Sequence, residues 1–283
     1  MYVSVDSFRM HIHFLKSHFN IISLEELVER LAVGKTVNRC CVLTFDDGWR
    51  DNFQYAYPVL KEYGVPATIF LTAGFIGTES WFWPEEVSFC LLKVKNEGAS
   101  LGVLPGCIQK ELREKGVCLE SSLEKCTDCV VELLKEKSPT ERIDCMRQLK
   151  ETFGVLSNGK RLLLNWDEVR EMEGSGLIEF GSHTMNHTLL DQLPPGEAQG
   201  EIGMSRDVIE EKTGKECVSF AYPNGNYTER TITSLEKTGF TVALTTKRGY
   251  VTPASTLLEL PRVAVHEDVS CSIPLLLWRL VAR

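Results

Sequence analysis

The sequence predicts an α/β fold whose parallel sheet is closed, or nearly closed, into a barrel. Three observations carry this reading. Short apolar runs alternate with stretches of helical periodicity along most of the chain, as in repeated βα units. The runs are continuously apolar, as in strands covered on both faces. The length of 283 residues suits one barrel domain.

Taken in order, residues 7–19 and 23–33 read as helices, with Ser23 and Glu26 spaced as a capping box for the second. Residues 40–45 are an apolar run ending at a loop, the look of a buried strand. Residues 52–63 have helical periodicity and Gly64 is a natural stop. Residues 65–72, rich in β-branched side chains, complete a βαβ unit. Beyond lie a helix at 166–172, a strand at 177–180, a helix at 195–213 and a strand at 217–221. A helix at 228–238 and a strand at 240–245 follow, and the final IPLLLWRLVAR reads as a packed amphipathic helix.

Residues 81–160 break the rhythm and exceed any usual strand-to-helix connection. Helical segments fall near 84–96, 107–116, 121–137 and 139–153. The expectation is a single domain over 1–283 with a helical insertion at 81–160, either a surface elaboration or a lid or partner site.

Hydrophobic residues at 43% and charged residues at 25% describe an ordinary soluble globular chain and exclude a disordered one. A net charge of −8 and a pI near 5.4 argue against a nucleic-acid partner, which calls for a basic face. No apolar run reaches the ~18–20 residues of a transmembrane segment. The opening MYVSVDSFRMHIHF lacks a signal peptide's apolar core. A cytoplasmic location is therefore expected, with cell-envelope association if the chain is truncated. The ten cysteines follow no disulfide spacing, and the Cys126–Cys129 CxxC has no second pair nearby. Reduced thiols are expected rather than a structural zinc site.

Two constellations carry chemistry. Thr44, Phe45, Asp46, Asp47 and Gly48 follow directly on a strand. Adjacent carboxylates there call for a cation, although Asp-Gly is also a turn signal. Gly181, Ser182, His183, Thr184, Met185, Asn186 and His187 again follow a strand. Histidines four apart can converge on one ion from a helical turn or a compact loop. His11, His13 and His18 share the first helix and read as surface or packing residues.

Together, TFDDG at 44–48 and HTxxH at 183–187 resemble the polysaccharide deacetylase family, also called the NodB homology domain or carbohydrate esterase family 4. The likeness continues through Val65, Pro66, Ala67, Thr68, Ile69 and Phe70, and through Phe220, Ala221, Tyr222, Pro223, Asn224 and Gly225. It covers residues 40–80 and 160–265, leaving the helical insertion outside.

The resemblance implies a distorted (β/α)7 barrel and a divalent metal, usually Zn2+, held by Asp47, His183 and His187. Three protein ligands with open positions agree with general zinc chemistry. It implies Asp46 as general base and His266 as general acid, with a solvated loop histidine as the alternative for His266. A backbone N–H near Tyr222 would assist the oxyanion, and Tyr222 would line the substrate site. The substrate implied is an N-acetylhexosamine in a polysaccharide or glycolipid. Rival readings keep the same site: an O-acetyl esterase, a small-amide hydrolase, or a barrel that binds glycan without hydrolysis. Trp49 and Trp83 are expected to stack on sugar rings, and Phe82 to lie in a core.

Three departures from the family pattern stand out. Ala221 and Tyr222 occupy the place of an arginine that tunes the catalytic carboxylate, a task that passes to Arg262 unless that residue makes only a surface ion pair. Ala264 replaces the leucine two residues before the acid histidine, and no Asp-Trp pair supports it; residues 245–249 follow the corresponding strand. These gaps are similar to those of members acting on cell-surface and biofilm polysaccharides. An initial strand with a Tyr-His pair is also missing ahead of Phe8, so either the barrel lacks it or the chain starts late.

Overall fold

The structure is a computed structural model and describes residues 2–98, 100–117, 122–154 and 159–282. These gather into two compact units, Met1–Thr78 with Leu162–Arg283, and Glu79–Arg161.

The first unit opens with α1 (Val5–His18), β1 (Asn20–Ile21) and α2 (Leu24–Ala32). Ser4 Oγ accepts from Ser7 N and Ser23 Oγ from Glu26 N, each satisfying an amide that a first helical turn leaves unpaired. The run at 40–45 makes β2 (Cys40–Cys41) and β3 (Thr44–Phe45). A π-helical turn at Asn52–Ala56 leads into α3 (Tyr57–Tyr63), which stops at Gly64 with φ +62°. β4 (Ala67–Leu71) follows and is buried along its whole length.

The chain next makes the second unit: α4 (Trp83–Asn96), α5 (Gly106–Glu114), α6 (Leu123–Glu136) and α7 (Pro139–Phe153). One core serves these helices, built from Val87, Leu91, Ile108, Leu112, Val130, Leu134 and Leu149. Cys126 is buried in that core and Cys129 lies one turn on in α6, where both serve packing.

The first unit resumes with α8 (Trp166–Gly174), β5 (Ile178–Ser182), α9 (Pro195–Thr213) and β6 (Ser219–Ala221). It ends with α10 (Glu229–Thr238), β7 (Val242–Arg248), β8 (Leu260–Arg262), α11 (Glu267–Ser270) and α12 (Ile273–Val281). β3 to β8 form one parallel sheet in sequential order, and β1 pairs in parallel with β2. β2 and β3 are a single run of chain, and Leu43 O between them accepts from Thr68 N at 3.0 Å. Among the described residues seven parallel strand positions thus follow one another, consistent with the distorted (β/α)7 barrel that the family resemblance implied. Among the described residues no pairing joins β8 back to β1, so the barrel is open there.

Ile22, Leu24 and Leu27 close part of the interior against Phe70, Ala221, Val242, Leu244 and Leu260. Each such Val, Leu, Ile or Phe side chain, fully buried, contributes about 1.5–3 kcal/mol. The Phe70 ring lies over Gly181 of β5, where a Cβ would fall 2.6 Å from the ring and 2.4 Å from Ser219 Oγ. Only glycine admits this approach. α12 buries Leu276 against Phe14 and Leu15 while leaving Trp278 70% exposed, so the terminal helix is packed along one side.

Register sets the position of the site. Phe45 pairs with Ile69, Leu71 with Ser182, and Ser182 with Phe220. The residues just past β3, β5 and β6 therefore emerge at one end of the sheet. This is the C-terminal end of the strands, where parallel α/β folds gather functional side chains.

Candidate active site

Asp46 and Asp47 follow β3, and Asp47 has φ +71°. Thr184 and His187, in the loop after β5, have φ +67° and +56°. A left-handed conformation costs a non-glycine residue about 1–2 kcal/mol, so the surroundings must hold all three. Ala73 N donates to Thr184 O at 3.1 Å and Gly74 N to Met185 O at 2.8 Å, seating the loop on the turn after β4. From α9, Glu201 accepts from Asn186 N at 2.8 Å and from Asn186 Nδ2 at 2.7 Å.

His183 is 2% exposed, and its Nδ1 lies 2.7 Å from Ala221 O at the end of β6. A carbonyl only accepts, so Nδ1 carries the proton and, in the neutral ring, Nε2 is a bare lone pair. That lone pair faces Asp47 Oδ1 at 3.4 Å, and His187 Nε2 lies 3.2 Å from the same oxygen. Lone pairs turned on one another in this way need a cation between them, a proton on the ring or a metal ion. Ligands about 2.1 Å from one ion at tetrahedral angles stand about 3.4 Å apart, so the spacing fits a divalent metal. All three donor atoms lie within 4.8 Å of one another, and among the described residues no other group of this kind occurs.

The three groups are also coupled electrostatically. Burial pushes the Asp47 carboxyl up, but the contacts with His183 and His187 outweigh it and hold the group well below the usual carboxylate range. Burial presses His183 down, yet Asp47 and Asp46 raise it above its ordinary value.

Asp46 is gripped from the far edge of the sheet. Arg262 of β8 donates from Nη1 to Asp46 Oδ1 and from Nη2 to Oδ2, both at 2.8 Å. Arg262 is itself fixed by Nε donating to Thr245 O at 2.9 Å and Nη1 to Thr44 Oγ1 at 3.3 Å. Burial pushes the Asp46 carboxyl up, while Arg262 and then His183 hold it below its ordinary value. The result is a carboxylate kept ionised beside a three-donor set that could hold a metal, placed to take a proton from a water there.

The sequence comparisons decide the lineage. The polysaccharide deacetylase family model matches residues 33–114 and 127–243. The chain belongs to the polysaccharide deacetylase family. The matched span takes in most of the second unit, which the motifs alone had left outside the resemblance. YxkH of Bacillus subtilis is 24% identical over 238 residues, covering 84% of this chain and 56% of that protein. The poly-β-1,6-N-acetyl-D-glucosamine N-deacetylase of Staphylococcus aureus is 36% identical over 80 residues, 28% of either chain. The chain thus spans little more than half the length of YxkH and less of the staphylococcal enzyme. IcaB from Ammonifex degensii has the same fold, with a TM-score of 0.63 at 19% identity, over 98% of this chain and 89% of that one.

Within this family member the other expected site residues fall as follows. Tyr222 requires correction. It is 0% exposed, its N–H donates to Leu244 O at 3.1 Å, and its hydroxyl donates to Leu258 O at 2.9 Å. Ladder and core use up every group it has, so Tyr222 itself is not open to a sugar, and its own N–H is not the oxyanion donor. Trp83 begins α4 and packs on the core of the second unit, with the Arg142 guanidinium 5.6 Å from its ring centroid. His266 precedes α11, its Nδ1 buried without a hydrogen-bond partner and 3.5 Å from Asp268 Oδ2. Trp49 is half-buried and donates from Nε1 to Asp47 Oδ2 at 2.8 Å. Of the helix-1 histidines, His11 is buried with Nε2 2.6 Å from Ser270 O, and His18 stacks on Phe14.

Sequence reasoning missed the Ala221 carbonyl, Glu201 and the Trp49 N–H. Glu201 carried no local signal, because its partner lies 15 residues away on another element.

Proposed function

We propose that this chain is a metal-dependent hydrolase removing N-acetyl groups from N-acetylhexosamine units of a polysaccharide or glycolipid. One observation carries the reading: an arginine-clamped carboxylate, Asp46, stands beside a convergent Asp47–His183–His187 donor set. Family membership supports the acyl chemistry, and the staphylococcal relative's named substrate supports the sugar class.

A divalent metal held by Asp47, His183 and His187, which we assign as Zn2+, would polarise the acyl oxygen and acidify a water. Asp46 accepts that water's proton at a carboxylate oxygen. Arg262 keeps Asp46 ionised and fixes the direction of its lone pairs. The Ala221 carbonyl holds the His183 ring in the tautomer that presents Nε2. We assign His266 the proton delivered to the departing amine; its half-buried ring, four residues beyond Arg262, supports that role.

The test is acetate release from N-acetylglucosamine oligomers by wild type and Asp46→Asn. Turnover is expected to fall by about 10²–10⁴ in the variant, the usual contribution of a general base, with metal content unchanged. Loss of the metal from Asp46→Asn would make Asp46 a ligand and undo the role given to it.

A further inference from the structure

Trp49 carries a task that neither the family likeness nor the sugar-stacking expectation gives it. We infer that Trp49 is a positioning residue that commits Asp47 to one-oxygen ligation: its indole N–H occupies Oδ2 and leaves Oδ1 alone facing the two histidines. The inference rests on the metal reading proposed above.

The geometry is specific. Both histidine Nε2 atoms approach Oδ1, at 3.4 and 3.2 Å, while the 2.8 Å indole bond goes to Oδ2. A carboxylate with both oxygens free can ligate through one or through two. Here the second oxygen is already spoken for by a neutral donor that adds no charge to the site. The indole bond also fixes the plane of the Asp47 carboxylate.

Trp49 is itself fixed. It forms an antiparallel bridge with Leu163, flanked by Leu164 N donating to Gly48 O at 2.9 Å and Arg50 N donating to Leu162 O at 2.8 Å. Arg50 Nε also donates to Glu168 Oε1 at 3.0 Å, and Glu168 Oε2 accepts from Asn165 N in the capping box of α8. The backbone that carries the indole is thus mounted on a short ladder anchored to a helix start.

The experiment compares wild type, Trp49→Phe, and a semisynthetic chain with benzothienylalanine at 49, which keeps the bicyclic ring and lacks the N–H. Zinc affinity is measured by chelator competition, and the visible spectrum of the cobalt-loaded protein reports coordination number. Both variants are expected to bind zinc about 10–100-fold more weakly, the usual effect of losing an outer partner of a ligand. Their cobalt bands should lose intensity as the freed Oδ2 joins the metal, a change that looser packing alone does not produce. Wild-type affinity and an unchanged cobalt spectrum in the benzothienylalanine protein would overturn the inference and leave the deacetylase reading intact. A wild type that binds neither zinc nor cobalt would overturn both.

Discussion

Replacing Arg262 with Met removes both 2.8 Å bonds to Asp46 and leaves that carboxylate beside Asp47 without its paired guanidinium. Hydrogen bonds to charged groups are worth about 1.5–3 kcal/mol each. Stripping one partner from a fully buried ion pair costs about 3–5 kcal/mol. The Asp46 side chain is 30% exposed and that of Arg262 17%, so water recovers part of the loss and about 2–3 kcal/mol is expected. At about 2–4 °C per kcal/mol for a domain of this size, the midpoint of thermal unfolding should drop by roughly 4–12 °C. Arg262→Lys keeps the charge but cannot form the fork, and should fall between the two.

The sign of the pH dependence follows from the same pair. Asp46 sits below its ordinary value when folded, so its stabilising contribution is complete above the unfolded carboxylate pKa of about 3.9 and fades as pH falls through the folded value. The stability gap between wild type and Arg262→Met should therefore close in acid. Without the guanidinium the Asp46 carboxyl rises, and the acid limb of the acetate-release profile should move to higher pH. Equal midpoints and superimposable acid limbs would refute this reasoning and reduce the pair to a surface ion bridge.

Two further outcomes are expected. Gly181→Ala drives a methyl to 2.6 Å from the Phe70 ring and 2.4 Å from Ser219 Oγ, an overpacking of about 1–3 kcal/mol; urea unfolding checks it, and an unchanged midpoint would mean that the ring yields freely. Glu267 accepts from Ser4 N, Ser4 Oγ and Ser7 Oγ, and these bonds, the Ser4 amide first, hold it below its ordinary value. Its contribution is present above about pH 4.3 and lost below, so Glu267→Gln should unfold earlier than wild type at neutral pH and match it in acid. A constant difference across pH would contradict that.

The parts of the fold that were legible in the sequence rest on local chemistry. The predicted helix at 195–213 coincides with α9, Gly64 ends α3 in the left-handed region, and Ser23 caps α2. What escaped depends on partners far along the chain. The apolar run at 40–45 looked like one strand, yet its first half pairs with β1 and its second with β4. The grip of Arg262 on Asp46 spans 216 residues, and His183 meets Ala221 across 38. Tyr222 was misjudged because its neighbours match a family motif, while the ladder to Leu244 and the hydroxyl bond to Leu258 turn it inward. Motifs named which residues gather; sheet register decides what each one touches.

The most direct test of the central claim is acetate release from N-acetylglucosamine oligomers by protein stripped with a chelator, then reloaded with zinc, with bound metal counted by elemental analysis. About one metal per chain, no release after stripping and recovery on reloading is the predicted result. Release that persists in fully stripped protein, or a chain that takes up no metal, would contradict it.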